Sequence, residues 1–269
     1  MGSLLAFFSL TYLVTWVCFF AVAALSGGAT ARPIAALRGV LLYLGIFAPS
    51  IVALGLTARA DGRAGAIALL RRILRWEVGA RWYVFAVGFI AAVKLSAALL
   101  VRLSTGAWPP FGNDPWYLLL VATAFSTPVQ AGEEIGWRGY ALPRLADRMG
   151  LGAASLVLGV IWASWHLPIF FLFPQADTFG QSFPVYLAQV TAISVIVAWL
   201  YARTHGSLLL VMLLHAAVNN TKDIVPSHVA HATNSLAVNA SPVGWFTLAL
   251  LWLAAAYFLL RMPKLDLSL

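Results

Sequence analysis

The stretch WYLLLVATAFSTPVQAGEEIGWRGY, residues 116–140, decides the fold of this chain. Its first ten residues are almost all apolar, and its last ten carry two adjacent carboxylates, Glu133 and Glu134, followed by Arg138. A lone ionised side chain at the centre of a bilayer costs roughly 2.5 to 3.5 kcal/mol on insertion scales. Charges this close to an apolar run of membrane length need partners or a function, and we interpret them as the core of an active site.

The whole chain has the composition of an integral membrane protein. Of its 269 residues, 62% are hydrophobic and 10% are charged, and the mean hydropathy is +0.88, whereas a soluble domain carries roughly 25% charged residues. The apolar residues come in blocks suited to helical spans of about 20 residues, not in the alternating segments of an outer-membrane barrel. We therefore predict an all-α, polytopic bundle of transmembrane helices, with one integral membrane domain over residues 1–269.

Hydropathy divides this domain into about eight spans. The first block lacks the basic residues that precede the apolar region of a signal peptide, and it is longer than such a region, so we expect it to remain as a helix. The candidate functional motifs all fall within a core at about 116–222. The predicted spans cover residues 4–25, 39–58, 82–101, 116–132, 151–172, 185–202, 207–222 and 243–260.

The distribution of basic residues predicts the orientation of the bundle. The segment 59–81 is rich in arginine, and its part LLRRILRW, residues 69–76, has the pattern of a basic amphipathic helix on the membrane surface. The positive-inside rule places this segment and both termini in the cytoplasm. Topology and attraction to anionic lipid account for the net charge of +8, and no nucleic-acid partner is expected because the basic residues are divided among several loops.

Three more polar residues lie within later apolar blocks. His166 belongs to IWASWHLPIF in the predicted fifth span, and His215 and Asn219 belong to LLHAAVNN in the seventh. The spacing of four residues between His215 and Asn219 places both side chains on one face of a helix. Two hydrogen-bonding groups are therefore expected to converge on one point within the bundle.

The two glutamates have different predicted environments. Glu134 and Arg138 are four residues apart and can pair on one face of a helix, whereas Glu133 points about 100° away. One carboxylate would then be neutralised while the other faces a cavity. The alternative is an ordinary surface ion pair worth about 0.3 to 0.5 kcal/mol, since this segment borders a predicted basic cytoplasmic loop.

Taken together, the three motifs resemble those of the CPBP intramembrane proteases, the CAAX-protease and bacteriocin-processing or Abi family. EEIGWRGY matches the Glu-Glu-x-x-x-Arg motif, WASWH the aromatic-x-x-x-His motif, and HAAVN the His-x-x-x-Asn motif, in the same order. Trp162 stands where the second motif often has phenylalanine. The basic stretch RRILRWEVGARWY, residues 71–83, is similar to that of many bacterial members, and we expect a multi-pass protein of the bacterial cytoplasmic membrane.

The resemblance implies an endopeptidase that hydrolyses a peptide bond in a membrane-associated protein or peptide. In it, Glu133 is the general base that activates water, and His166 positions that water or transfers its proton. His215 and Asn219 stabilise the oxyanion of the tetrahedral intermediate. The partners implied are the lipid bilayer and a peptide or protein substrate, which in eukaryotic relatives is lipidated and is cleaved after the prenylated cysteine of a CAAX tail.

The resemblance also implies a supporting role for Glu134 and Arg138, which orient the site. The family is conventionally classed among the metallopeptidases, and Glu133, His166 and His215 would form a ligand set suited to a catalytic Zn²⁺. The chain contains no HExxH sequence. The same residues serve equally well as a metal-free base and oxyanion hole, so the sequence leaves both mechanisms open.

Two other functions fit part of this pattern. Buried Glu, His and Arg residues also build ion pathways, so a membrane transporter is one alternative, and a non-catalytic membrane protein of the bacteriocin-immunity type is another. We interpret Lys94, inside the third predicted span, as a lysine that reaches the membrane surface. His228 and His231 are interpreted as a solvated loop pair, and Cys18 as a small core residue.

Overall fold

The computed structural model describes residues 2–26, 32–173, 182–227 and 234–267, and all regular structure within them is helical. The predicted all-α class is therefore confirmed. A π-helical segment, Ile135–Ala141, joins α5 to α6, and short 3₁₀ turns follow α2, α4 and α9. The helices are α1 Gly2–Ala24, α2 Arg32–Arg71, α3 Ala80–Thr105, α4 Trp116–Ser126, α5 Ala131–Glu134, α6 Leu142–Trp165, α7 Ile169–Leu172, α8 Phe183–Arg203, α9 Leu208–Thr221 and α10 Pro242–Leu260.

The helices form a polytopic membrane bundle. Among the described residues, 6 helical stretches are long and apolar enough to cross a bilayer. One of them, Trp116–Leu172, is 57 residues long and contains both the fourth and the fifth predicted span. The seventh predicted span corresponds to α9, which has 14 residues and is shorter than the roughly 20 that a full crossing needs. The cytoplasmic location of both termini stays a prediction.

The predicted basic loop between the fourth and fifth spans is wrong, because this part of the chain is helical. The π-helical segment runs directly into α6, and the direction changes only at Gly150, whose φ of 76° and ψ of 156° favour glycine. The physical reason is that a helix satisfies the backbone hydrogen bonds of this segment internally, while its cations are accommodated either by pairing, as Arg138 is with Glu134, or by exposure, as Arg148 is. Farther along, the guanidinium of Arg144 lies 3.7 Å from the centre of the Tyr140 ring.

Close packing of α2 positions the segment that carries the two glutamates. A Cβ atom on Gly136 would lie 2.6 Å from the carbonyl carbon and oxygen of Pro49 in α2, so only glycine allows this approach. A Cβ atom on Gly132 would lie 2.9 Å from the ring of Phe47. The small residues at 132 and 136 thus place α2 directly against the turn of helix that presents Glu133.

The end of α6 is held from two sides. On one side, α8 packs so closely that a Cβ atom on Gly159 would lie 2.7 Å from the Cα atom of Thr191. On the other side, the indole nitrogen of Trp16 in α1 donates a hydrogen bond of 3.0 Å to the carbonyl oxygen of Trp165. These contacts fix the last turn of α6, from which Trp162 and His166 extend.

Candidate active site

A cavity of about 270 Å³ lies inside the bundle, between α3, α5, α6, α8, α9 and α10. All four residues assigned to catalysis from the sequence line it: Glu133 from α5, His166 from the end of α6, and His215 and Asn219 from α9. They are far apart in the sequence, so the cavity is a product of helix packing. Its wall is mainly apolar, so each polar side chain that lines it is a candidate for binding or catalysis.

Glu133 is buried at 8% exposure and is oriented by a tryptophan. The indole Nε1 of Trp162 donates a hydrogen bond of 2.6 Å to Glu133 Oε2. A carboxylate offers about four acceptor positions on its two oxygens. The indole occupies one of them and fixes the plane of the group, while acceptor capacity remains for a molecule in the cavity.

Glu134 lies behind the cavity and joins two other charged or titratable groups. It is 0% exposed, and its Oε1 accepts hydrogen bonds from Arg138 Nη1 at 2.9 Å and from His215 Nδ1 at 2.7 Å. The pairing with Arg138 follows the i, i+4 spacing seen in the sequence. The contact with His215 was not predicted from the sequence, and it links the first motif directly to the third.

These contacts determine which nitrogen of each histidine is available to a bound molecule. A carboxylate or a carbonyl oxygen can only accept, so a ring nitrogen that contacts one carries the hydrogen. His215 Nδ1 donates to Glu134 in this way, and His166 Nδ1 donates to the carbonyl oxygen of Trp162 at 2.9 Å. In both residues the remaining nitrogen is Nε2. A fixed ring with one nitrogen available is the arrangement that proton transfer and hydrogen bonding to a substrate need.

Aromatic rings pack around these polar groups. The His166 ring centre lies 4.6 Å from that of Trp165 and 5.5 Å from that of Tyr186, both in edge-on contacts. The Trp162 ring packs edge-on against His215 at 5.2 Å. On another side of Trp162, the guanidinium of Arg138 lies 4.1 Å from the ring centre. Trp162 therefore contacts all three motifs.

The structure adds Gln130 to the site. Asn219 Nδ2 donates a long hydrogen bond of 3.5 Å to Gln130 Oε1, and Gln130 is 7% exposed. Sequence reasoning missed this residue. The signal was a polar side chain three positions before Glu133, on a neighbouring face of the same helical segment.

The segment just after the two glutamates has π-helical geometry from Ile135 to Ala141. Single π-helical turns within α-helices occur frequently at functional sites, because the widened turn changes the direction of the side chains. Arg72, from the turn after α2, donates hydrogen bonds to the carbonyl oxygen of Gly139 at 3.1 Å and to the hydroxyl of Tyr201 at 3.0 Å. Arg72, which belongs to the basic segment 59–81, thus stabilises the π-helical turn that follows Glu133 and Glu134.

Lys94 does not reach the membrane surface, so that interpretation is wrong. It is 4% exposed and lines the same cavity as Glu133. Its Nζ donates to the carbonyl oxygen of Val225 at 3.3 Å and to the hydroxyl of Ser227 at 3.0 Å. The reason is that α3 faces α9 and α10 at this position, so protein groups accept from the ammonium in place of the membrane interface.

Two interpretations from the sequence remain, that of Cys18 and that of the pair His228 and His231. Cys18 is buried at 4% exposure, as expected of a core residue. His228 and His231 lie outside the described residues.

The donor set suggested for Zn²⁺ does not have the geometry of a metal site. Glu133, His166 and His215 share the cavity, but no three His, Cys, Asp or Glu side chains are grouped so that they could hold a metal ion in the described part of the chain.

Comparison with known proteins supports the family resemblance. The family model of the Type II CAAX prenyl endopeptidase Rce1-like proteins matches residues 113–221, which contain all three motifs. CAAX prenyl protease 2 of Methanococcus maripaludis is 24% identical to this chain over 245 residues, covering 81% of this chain and 83% of the relative. The resemblance recognised from the motifs is confirmed.

Proposed function

We propose that this chain, a multi-pass membrane relative of the CAAX-type CPBP proteases, is an intramembrane endopeptidase that activates water with Glu133. The observation that carries the proposal is the shared cavity. Side chains from three helical elements, Glu133, His166, His215 and Asn219, meet there within a membrane bundle. The set contains one carboxylate base, two imidazoles with available nitrogens and one amide donor, which are the groups that peptide hydrolysis needs.

The proposed reaction begins with water held between Glu133 and the carbonyl group of the peptide bond. Glu133 takes a proton from the water as its oxygen bonds to the carbonyl carbon, and the carbonyl oxygen becomes an oxyanion. Asn219 stabilises that oxyanion by donating from its amide nitrogen, and His215 donates from Nε2 in the imidazolium form, in which both ring nitrogens carry hydrogen and Nδ1 still donates to Glu134. His166, through Nε2, positions the water or relays its proton. The carbon–nitrogen bond then breaks, and the proton held by Glu133 passes to the leaving amine.

The buried groups behind the cavity hold the proposed catalytic side chains in fixed orientations. Glu134 holds His215 by a hydrogen bond of 2.7 Å, and Arg138 compensates the charge of Glu134 at 2.9 Å. Because these groups are buried, their orientation is set before substrate binds, and donors in a water-poor site act strongly on developing charge. Loss of one oxyanion donor in other enzymes lowers the rate by about 100- to 1000-fold, and a comparable effect is expected for Asn219→Ala.

The test compares peptide cleavage by the wild-type protein and by Glu133→Gln in lipid nanodiscs. A prenylated cysteine peptide ending in two aliphatic residues and a terminal methionine is the probe, and a comparison of membrane peptides from cells with either protein searches for the natural substrate. Glu133→Gln should lower cleavage by about 100-fold or more without altering unfolding. Glu77→Gln, at an exposed carboxylate, is the matched control.

The same variants separate proteolysis from transport. A protease loses cleavage in Glu133→Gln, whereas a transporter shows ion flux in vesicles that depends on Glu133 and cleaves no peptide. Unchanged cleavage in Glu133→Gln contradicts the proposal.

A further inference from the structure

Three arginines from different helices lie at one end of the bundle, and we call them the arginine cluster. Arg81 is in the first turn of α3, Arg203 is the last residue of α8, and Arg261 directly follows the last residue of α10. All three are exposed. The ends of membrane-spanning helices lie near the lipid headgroups, and the positive-inside rule places this end of the bundle in the cytoplasm.

Aromatic rings in mutual contact bring the three helix ends together. The ring centre of Trp199 in α8 lies 5.5 Å from that of Trp82 in α3 and 4.2 Å from that of Phe258 in α10. Each of these rings is adjacent in sequence to one of the arginines or within about one helical turn of it. The cluster is therefore assembled by helix packing and is not a basic run of the sequence.

Each arginine of the cluster also packs over an aromatic ring. A cation within about 6 Å of a ring centre is attracted by the π electrons of the ring. A guanidinium held by its face keeps the N–H groups in its plane able to bind a phosphate through two parallel hydrogen bonds. The distances from the guanidinium carbon to the ring centre are 4.8 Å for Arg81 and Trp82, 5.5 Å for Arg203 and Trp199, and 5.7 Å for Arg261 and Tyr257.

The arginine cluster carries an excess of positive charge. None of its guanidiniums forms an ion pair with a carboxylate in the part of the chain that the structure describes. The C-terminal ends of α8 and α10 each add about −0.5 elementary charge, and the N-terminal end of α3 adds about +0.5. These partial charges offset only a small part of three full positive charges, so the cluster favours an anion.

The surface beside the cluster favours an anion that carries a hydrocarbon chain. Val84 lies about one helical turn into α3 from Arg81, and it is 72% exposed. On α10, Tyr257 and Leu253 lie about one and two turns before Arg261, and they are 54% and 68% exposed. Exposed apolar side chains of a membrane helix face lipid tails. A lipid can therefore contact both the cations and these side chains, whereas a soluble anion contacts only the cations.

We propose that Arg81, Arg203 and Arg261 bind the phosphate of an anionic phospholipid from the adjacent leaflet. Basic sites between transmembrane helices on the cytoplasmic side are suited to such headgroups, because this leaflet carries a negative surface potential. The site is separate from the cavity that contains Glu133, since none of the three arginines lines that cavity. Its occupation does not depend on the proposed hydrolysis.

The experiment measures lipid binding to the full chain by native mass spectrometry from dodecyl maltoside micelles. Phosphatidylglycerol and phosphatidylcholine with the same acyl chains are the probes, because they differ in net charge. The wild type should bind phosphatidylglycerol about tenfold more tightly than phosphatidylcholine, or better. Arg81→Gln, Arg203→Gln and Arg261→Gln together should reduce that ratio to about twofold or less, and Arg203→Gln alone should weaken binding of phosphatidylglycerol about threefold or more.

The matched control combines Arg59→Gln, Arg63→Gln and Arg148→Gln, which remove the same number of exposed positive charges outside the cluster. This control should keep the wild-type ratio. The inference is overturned if the wild type binds both lipids equally, if the cluster variant keeps the preference, or if the control loses it to the same extent. Displacement of phosphatidylglycerol by an equal concentration of glycerol 3-phosphate would assign the cluster to a soluble anion and overturn the lipid assignment.

Discussion

Removal of Arg138 should destabilise the protein severely, because it leaves Glu134 buried without its cation. Both side chains are 0% exposed, and they are joined by one hydrogen bond of 2.9 Å. Breaking a buried ion pair by removing one partner costs about 3 to 5 kcal/mol. Arg138→Met also removes the guanidinium that lies 4.1 Å from the centre of the Trp162 ring. We expect a loss of at least about 3 kcal/mol in the free energy of unfolding.

Removal of both charges should cost much less than the two single changes combined. The pair is incompletely satisfied, since Glu134 Oε2 and two nitrogens of Arg138, Nε and Nη2, have no hydrogen-bond partner among the described residues. Replacing a buried pair by neutral groups of similar volume is often neutral or stabilising. In Glu134→Gln with Arg138→Met, the amide oxygen can still accept from His215. The double variant is expected to lie within about 2 kcal/mol of the wild type.

The assay is equilibrium unfolding of the four proteins in mixed micelles of dodecyl maltoside and increasing SDS, followed by tryptophan fluorescence and circular dichroism. A double-mutant cycle then gives the coupling energy between Glu134 and Arg138. Arg148→Met is the control, because Arg148 is exposed, and a surface change should stay within about 0.5 kcal/mol. A loss below about 1 kcal/mol in Arg138→Met, or additive single effects, would refute the reasoning.

Four further outcomes are expected. Trp162→Phe keeps the aromatic ring and loses the donor to Glu133, so kcat/KM should fall about tenfold with little change in unfolding; an unchanged kcat/KM would show that the indole hydrogen bond has no role in orienting the base. Arg72→Met removes hydrogen bonds to the π-helical segment and to α8, and we expect a lower unfolding temperature than for the wild type. Gly136→Ala should cost about 1 to 3 kcal/mol through overpacking against the backbone of α2, whereas Gly88→Ala, where a Cβ atom meets nothing within 4 Å, should not destabilise. Exhaustive chelation with EDTA should leave peptide cleavage intact; a loss that is restored by Zn²⁺ would contradict the metal-free mechanism.

The local features of the site were predictable from the sequence. Composition alone identified a helical membrane protein, since long apolar blocks have no other stable arrangement in lipid than helices whose backbone groups bond internally. Spacing alone predicted the pairing of Glu134 with Arg138 and the common face of His215 and Asn219, because helical geometry places residues four apart together. The basic loop was predicted wrongly because a short basic stretch between two apolar blocks is compatible with a helix as well as with a loop.

The contacts between helices were not predictable in this way. Trp162 reaches Glu133 across 29 positions of the chain, and Glu134 reaches His215 across 81. The burial of Lys94 likewise depends on α9 and α10 covering its face of α3. Hydropathy predicts that a helix lies in the membrane. It does not predict which neighbouring helix each face contacts, because apolar side chains are stabilised about equally by lipid tails and by other apolar side chains. The chemical character of each side chain could therefore be predicted from the sequence, whereas its partners were decided by the packing of helices that are distant in the sequence, such as α6 against the first motif and α9 against Glu134.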